Sequence, residues 1–392
     1  MKKLPKPDDC TACSACVAAC AHKALELVLN KNGYYEVISD SSKCTNCGLC
    51  EKVCPVLKPI KETEYGTTYY ACWNTDSEVR KKSASGGAFS ALALYVLNKG
   101  GVVYGASISG FDIVHKRIDN ISELSEILGS KYQQGNISGI YKQVRQDLFK
   151  EKLVLFSGMS CQIAGLISYL GTTEHSNLFT VDTICGGFST VLPMLFLKDS
   201  GKYNGIYSFR DKNDGWSSVG FKYNLRMQKS DGSIEDLKLD NLVLNTFSSK
   251  LLKRGSCCNC AFTSPYRQSD LTIGDFWGDQ RFKVQHRNGL SVIAVHSKRI
   301  MKIIKLAPLH TEPITFDELI SYNHNYYWTR FPLVRFFISR KLALWALRSR
   351  KIRIAARQIK PKSLAGICMS IYLKLNKRFL RVPFYKNLKS TL

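Results

Sequence analysis

Long apolar segments are missing from this 392-residue chain. The first ten residues, MKKLPKPDDC, carry lysines but lack the apolar stretch that a secretion signal needs, and no run of 18 or more apolar residues follows. A membrane-spanning helix is therefore not expected, and we predict a cytoplasmic protein. Repeats and low-complexity tracts are also missing, so the length predicts two or three ordinary folded domains.

Acidic residues are scarce, and the C-terminal part has none. The chain carries 56 Lys and Arg against 31 Asp and Glu, and residues 330–392 contain 17 Lys and Arg with no Asp or Glu. We predict that residues 330–392 form a basic helical segment, in which apolar residues from Leu364 to Phe379 recur at helical spacing. This stripe either packs on the protein's own core or lies on the anionic inner surface of a membrane. Nucleic acid is not expected as a partner, because no recognised binding motif accompanies the charge.

Cysteine, by contrast, is abundant. Fifteen cysteines in a reducing compartment favour metal or cluster ligation over disulfides. The run CTACSACVAAC contains Cys10, Cys13, Cys16 and Cys20, and the run CTNCGLCEKVCP contains Cys44, Cys47, Cys50 and Cys54. This spacing is typical of bacterial two-cluster ferredoxins, in which the fourth cysteine of each run binds the other cluster.

The spacing therefore predicts a two-cluster 4Fe-4S ferredoxin domain over residues 1–60. One cluster is assigned to Cys10, Cys13, Cys16 and Cys54, and the other to Cys44, Cys47, Cys50 and Cys20. Zinc also uses C-x2-C pairs, but two matching runs of four make it the weaker interpretation. Ala21 stands where the first run would normally have proline, which loosens that turn without removing a ligand. Between the runs, a hairpin is predicted about the Asn32-Gly33 turn.

The body of the chain reads as alternating strands and helices. A Ser-Gly loop at residues 83–87 leads into a helix that is expected to end near Gly100, and such a helix start favours either an anion or simple capping. Two buried strands are expected to deliver Cys161 and Cys185 to their carboxyl ends, where open α/β sheets place ligands. The segment ISELSEIL is predicted to be a helix, LKLDNLVLNTF is predicted to be β-rich, and Cys257 and Cys260 form a late C-x2-C pair.

A combination of short motifs resembles the coenzyme F420 hydrogenase/dehydrogenase beta subunit family. The motifs are SASGGAFSAL, GSKYQQ, CQIAGL, CGGFS, FRDKNDGW and the C-x2-C pair before SDLTIGDFWG. The resemblance implies a mixed α/β flavin-binding domain after the ferredoxin fold, an α+β or α/β chain, with an N-terminal part at residues 67–150 and a C-terminal part at residues 151–300. It also implies an FAD site and a third cysteine set. The implied FAD residues are Ser85, Gly86, Gly87, Lys131, Tyr132, Gln133, Gly274, Asp275, Phe276 and Trp277.

The third set implied by the resemblance comprises Cys161, Cys185, Cys257 and Cys260, which would hold a third 4Fe-4S cluster beside the flavin. Zinc in the same four positions is the rival interpretation. Cys258 is expected to be a non-ligand between the paired cysteines, and Cys72 and Cys368 to be ordinary thiols.

Two functions fit these expectations. The first is a ferredoxin-linked, FAD-dependent oxidoreductase that acts on a small organic substrate, with polysaccharide biosynthesis as one setting. The alternative is an electron-transfer beta subunit of a larger hydrogenase or dehydrogenase complex, linked to F420 or ferredoxin. In both, ferredoxin or another redox protein is the expected partner, and no catalytic acid or base is assigned.

Overall fold

The computed structural model describes residues 4–60, 66–171, 175–210, 212, 215–216, 225–237, 242–277, 280–282, 285, 287–327 and 338–359. The strands are β1 Leu25–Leu29, β2 Tyr35–Ser39, β3 Thr68–Asn74, β4 Val102–Ser109, β5 Asp112–Ile118, β6 Val154–Met159, β7 Leu178–Thr183, β8 Tyr203–Ser208, β9 Leu225–Lys229, β10 Ile234–Leu237, β11 Leu271–Asp275, β12 Ser291–Val295 and β13 Leu309–Ile314.

The α-helices alternate with these strands through most of the chain. They are α1 Ala15–Ala19, α2 Leu49–Lys52, α3 Ser77–Lys82, α4 Ala88–Asn98, α5 Leu124–Ile127, α6 Ile140–Phe149, α7 Ser160–Leu170, α8 Leu192–Asp199, α9 Leu242–Ser248, α10 Gly255–Cys258, α11 Ile300–Leu306, α12 Phe316–Tyr322, α13 Ile338–Arg348 and α14 Ile352–Ile359. Short 3-10 helices occur at Ile121–Glu123, Gln280–Phe282 and His324–Tyr326.

A mixed sheet organises the body. In the described part of the chain it has eight strands in the order β13-β3-β12-β11-β7-β6-β4-β5. The central strands β4, β6, β7 and β11 are parallel, and the flanking pairs are antiparallel. Because the carboxyl ends of parallel strands meet at one edge, the residues that follow β6, β7 and β11 lie close together. A separate antiparallel sheet contains β8, β9 and β10.

Both faces of the mixed sheet are covered by helices. On one face α4, α5 and α11 pack through residues such as Leu92, Ile127 and Ile303. On the other face α6 and α7 pack through Tyr141 and Leu166, and α1 of the N-terminal module (residues 4–60) joins the same cluster. Fully burying a large apolar side chain stabilises a fold by about 1.5–3 kcal/mol. Because α1 packs in the same cluster as α6 and α7, the N-terminal module shares a hydrophobic core with the body.

Several predictions about local structure can be checked directly. The hairpin about Asn32-Gly33 is confirmed by the antiparallel pairing of β1 with β2, and α4 ends just before Gly100, which has a φ of 71°. The segment ISELSEIL forms a 3-10 turn and the single-turn α5 instead of one continuous helix. The β-rich prediction for LKLDNLVLNTF is wrong over its second half, which is α9. There Leu242 and Leu244 each contact a hydrophobic cluster, so tertiary packing outweighs strand propensity.

The C-terminal helices α13 and α14 are packed on the body. Ala346, Leu347 and Ile359 join a hydrophobic cluster with Leu251 and Leu252. The stripe from Leu364 to Phe379 and Cys368 lie outside the described residues. Within the described ranges, no helix is both long enough and apolar enough to span a bilayer.

Candidate cofactor site

The first cysteine set, assigned above to Cys10, Cys13, Cys16 and Cys54, surrounds one small cavity. Cys10 and Cys13 lie in the loop before α1, Cys16 lies in the first turn of α1, and Cys54 follows α2. All four side chains line a cavity of about 250 Å³. The pKa of the Cys13 thiol is raised to about 12, first by burial and then by the thiols of Cys10 and Cys54. The structure thus brings together the four cysteines that the spacing assigned to one cluster.

The two cysteine runs use the same backbone conformations at equivalent places. Ala12 and Ser14 in the first run have φ values of 56° and 66°, and Asn46 and Gly48 in the second have 57° and 78°. These left-handed residues bend each loop back on itself. In the first loop the N–H of Ala12 donates to the Sγ of Cys10 at 3.4 Å. Backbone donors aimed at thiolates are a known feature of iron–sulfur ligation.

The second cysteine set is more exposed than the first. The pKa of the Cys50 thiol is raised, chiefly by burial, with contributions from the thiols of Cys47 and Cys44. Cys47 is exposed, whereas Cys13 is buried. Cys20, the fourth predicted ligand, follows α1, and its Sγ accepts the N–H of Ala24 at 3.3 Å.

The third cysteine set is assembled by the body of the chain. Cys161 lies in the first turn of α7, Cys185 follows β7, and Cys257 and Cys260 lie on and just after α10. The pKa of the Cys161 thiol is raised well above its ordinary value by burial and then by the thiols of the other three. The structure therefore brings these four thiols together from three separate segments.

Backbone amides donate to two thiols of the third set, and Cys258 packs in a hydrophobic cluster. The N–H of Gly187 donates to the Sγ of Cys185 at 3.2 Å, and the N–H of Phe188 donates to the Sγ of Cys257 at 3.4 Å. Cys258 is fully buried in the cluster formed with α13 and α14. Among the described residues, no His, Cys, Asp and Glu side chains form a group that could hold a single metal ion. Four converging thiols with backbone amide donors are the ligand set that a 4Fe-4S cluster uses.

The first and third cysteine sets are neighbours. The Cys13 thiol is among the groups that raise the pKa of Cys161. Between them, α7 lies against α1 so closely that a Cβ on Gly165 would be 2.9 Å from the Sγ of Cys13. The buried Arg254, which immediately precedes α10, joins this part of the body to the N-terminal module. Its Nε donates to the carbonyl oxygen of Cys10 at 2.8 Å, and its Nη1 donates to the carbonyl oxygen of Tyr35.

A large cavity opens on the other side of the third set. It has a volume of about 660 Å³ and lies at the carboxyl ends of β6, β7 and β11, beside the start of α4. Cys185 lines it, together with Gly186 and Gly187. Its size falls in the range of about 300–1,000 Å³ that is typical of ligand pockets.

Most of the predicted flavin residues line this cavity. Of the ten, only Gly86 and Phe276 do not. Phe276 is fully buried in a core cluster against which Trp277, a residue of the cavity wall, also packs. At Gly86 a Cβ would lie 2.5 Å from the carbonyl oxygen of Cys72 and from the backbone nitrogen of Ser291, so glycine is required for close packing against two strands.

Two basic side chains in the cavity wall have strongly shifted pKa values. Burial lowers the pKa of Lys131 to about 7, and its Nζ donates to the carbonyl oxygen of Leu128 at 2.6 Å. Burial, together with the Lys131 charge, lowers the pKa of His115 to about 4. The Nε2 of His115 lies 3.1 Å from the carbonyl oxygen of Ser157, and its Nδ1 has no hydrogen-bond partner among the described atoms. A buried Nδ1 of this kind suits a polar ligand atom.

His115 was not predicted to be functional. The one available signal is its place in β5, where Ile113 and His115 occupy alternate, buried positions. Asp275, which was predicted, forms an ion pair with Arg210 at 3.0 Å, and Trp277 stacks on Trp216 with ring centroids 4.1 Å apart. These contacts fix the wall of the cavity below the end of β11.

Comparisons with known families agree with this architecture. Models described as the N-terminal and C-terminal parts of the coenzyme F420 hydrogenase/dehydrogenase beta subunit match residues 69–141 and 151–317. A model described as a 4Fe-4S dicluster domain matches residues 9–57. Together these matches extend over most of the chain.

Individual relatives are more distant. Ketoisovalerate oxidoreductase subunit VorC from Methanothermobacter marburgensis is 34% identical over 55 residues, which are 14% of this chain and 70% of that protein. A chain of the F420-reducing NiFe hydrogenase complex from Methanosarcina barkeri aligns with a TM-score of 0.43 and 16% identity, over 74% of this chain and 89% of that chain.

Proposed function

Because the chain belongs to the coenzyme F420 hydrogenase/dehydrogenase beta subunit family and carries a 4Fe-4S dicluster domain, we propose that it is the electron-transfer subunit of an oxidoreductase complex. One observation carries the proposal: the third cysteine set lies between the first set and the cavity. Cys161 is near Cys13 on one side, and Cys185 lines the cavity on the other. Cofactors held at these places would form a continuous row.

The residues present fit a third 4Fe-4S cluster and FAD. When bound, clusters carry single electrons, and a flavin exchanges either single electrons or a hydride equivalent. Cys161, Cys185, Cys257 and Cys260 would hold the cluster. The loop around Ser85 and Gly87 presents backbone N–H groups at the start of α4, where a flavin phosphate is favoured.

The role of a subunit is favoured over that of a self-sufficient reductase. The family is one of beta subunits, and the VorC relative is by its name also a subunit. The exposed Cys47 places the second cysteine set where another redox protein can approach it. No observation in the fold or the comparisons supports a role in polysaccharide biosynthesis. In the role of an electron-transfer subunit, an organic electron carrier such as F420 would meet the flavin in the cavity.

The test is the cofactor content of the full chain purified without oxygen. We expect iron and acid-labile sulfide for three 4Fe-4S clusters, and FAD in equal amount to the protein. Adding reduced F420 should bleach the flavin and, through it, the absorption of the third cluster. A chain with zinc in place of the third cluster, or with no flavin after incubation with FAD, would refute the proposal.

The basic C-terminal segment is proposed to touch an anionic membrane surface. The supporting observation is Trp345 on α13, which is exposed and has the Lys351 ammonium 4.5 Å from its ring centroid. Tryptophan flanked by lysine is common at membrane interfaces. The liposome measurement that tests this contact is given in the Discussion.

A further inference from the structure

Two buried cations flank the third cysteine set, and the proposed function uses neither. Lys253 and Arg267 are 1% and 6% exposed. Lys253 is bonded to the backbone just after Cys185, and Arg267 is bonded to Ser160, the residue before Cys161. The first set has one such cation beside it, Arg254, whose Nε donates to the carbonyl oxygen of Cys10, and its cavity is also lined by the carboxylate residue Glu36. The two sites therefore differ in their electrostatic surroundings.

Lys253 is held in place by backbone carbonyls. Its Nζ donates to the carbonyl oxygens of Gly186 and Gly187, the two residues that follow Cys185. No carboxylate among the described residues lies within ion-pair distance of this ammonium. Burial lowers the pKa of Lys253, so this buried amine keeps its positive charge only beside an anionic neighbour. A cluster with four thiolate ligands supplies one.

Arg267 is fixed by a buried polar network. Its Nη1 contacts Asp182 at 3.2 Å and the carbonyl oxygen of Phe262, and its Nη2 donates to the carbonyl oxygen of Tyr326. Nη1 also donates to the hydroxyl of Ser160, the residue before Cys161. Its Nε has no hydrogen-bond partner among the described atoms. Because Asp182 partly neutralises Arg267, the electrostatic effect of Arg267 on the third site should be smaller than that of Lys253.

We propose that Lys253 and Arg267 are positioning residues that raise the reduction potential of the third site above the potentials of the two ferredoxin-type sites. The inference rests on the proposed function, because it requires a cluster at the third site. Reduction adds one negative charge to a cluster, and nearby cations stabilise that charge more strongly in a low-dielectric interior than in water. Hydrogen bonds already hold both cations, so little reorganisation accompanies the change. Electrons would then move preferentially from the N-terminal module towards the cavity.

The test is an anaerobic redox titration of the full chain with bound cofactors, followed by electron paramagnetic resonance. Lys253→Gln keeps a donor for the carbonyls of Gly186 and Gly187 but removes the charge. We expect it to lower the reduced-to-oxidised ratio of the third cluster at least tenfold at a fixed ambient potential, a shift of about 59 mV for one electron. Lys253→Arg keeps the positive charge and should leave the reduction potential of the third cluster close to that of the unmodified chain. Arg267→Gln should lower this potential by less than Lys253→Gln does.

Two comparisons make the result decisive. Arg299→Gln is the control variant, because it removes a cation from the same part of the sheet. Arg299 pairs with Asp270 and is not one of the charged groups beside the cysteines, so this variant should leave the third signal unchanged. The signals of the two ferredoxin-type clusters should stay constant in every variant. An unchanged third potential in both Lys253→Gln and Arg267→Gln would overturn the inference while leaving the proposed function intact. Iron for only two clusters in the unmodified chain would overturn both.

Discussion

In the N-terminal module each cysteine run places three cysteines in a loop of seven residues, whereas the third set takes four cysteines from three segments that begin at Cys161 and end at Cys260. The loops of the module are bent by their own left-handed residues. The third set depends on β6, β7 and α10 being in place, because these elements bring its thiols together. One kind of site is thus local, and the other is a product of the tertiary fold.

This difference has a consequence for the relation between folding and cofactors. A local loop can present three of a cluster's four thiols while much of the chain is still disordered, because these three are close in sequence and the fourth comes from the other run of the same module. The third site can form only after the parallel strands have paired, which requires contacts between residues that are distant in sequence. Loss of the third site should therefore report damage to the body of the protein, and loss of the other sites should report damage to the module.

The largest expected effect comes from removing one ligand of the third set. Cys257→Ser should eliminate the third cluster and lower the iron content by about one third, because each of three 4Fe-4S clusters contributes equally. The ferredoxin-type signals should remain, since their ligands are elsewhere. Iron, acid-labile sulfide and zinc are measured in parallel. Cys258→Ser is the matched control, because this neighbouring thiol is buried outside the set, and it should retain full iron. Equal iron loss in both variants would contradict the assignment.

The contact between the two regions can be tested at Gly165. A Cβ at this position would lie 2.9 Å from both the Sγ of Cys13 and the hydroxyl oxygen of Tyr141. Gly165→Ala should therefore lower the free energy of unfolding by about 1–3 kcal/mol through overpacking. Denaturant unfolding without oxygen measures the change. Gly66→Ala serves as the control, since nothing lies within 4 Å of its Cβ position, and a similar loss there would remove support for a tight contact between α1 and α7.

The same contrast explains what the sequence could predict. The two N-terminal sets and the hairpin about Gly33 follow from local spacing and turn residues, and the strands that deliver Cys161 and Cys185 follow from apolar runs. The helical state of Leu242–Ser248 could not be predicted, because long-range packing decides it. The packing roles of Gly86 and Phe276 could not be predicted either. Whether a residue lines the cavity or packs in the core depends on elements that are distant in sequence. The place of His115 in the cavity wall was not predicted for the same reason.

A smaller, pH-dependent effect is expected at the cavity wall, which the body also builds. The pKa of Lys131 is lowered by burial from its ordinary value of 10.5 to about 7. Between these two values the unfolded chain binds more protons at this amine than the folded chain does, so stability rises with pH across that window. Lys131→Met should reduce this rise. Urea midpoints of the flavin-free protein near both ends of the window measure it, with the exposed Lys99→Met as control. A slope unchanged by Lys131→Met would contradict the depressed pKa.

The smallest effect on the cofactors is expected from the C-terminal segment. Removing residues 335–392 would also remove α13 and α14, whose Leu347 and Ile359 pack against Leu252, next to Lys253 and the third site. Removing only residues 360–392 leaves this cluster in place. That shorter deletion eliminates eight Lys and Arg residues, each of which contributes about 1 kcal/mol when it lies near an anionic membrane. We expect weaker sedimentation with anionic liposomes and no change with neutral ones, while iron and FAD stay constant. Equal retention on anionic liposomes would contradict a membrane contact made by residues 360–392, since Trp345 and Lys351 remain in this variant.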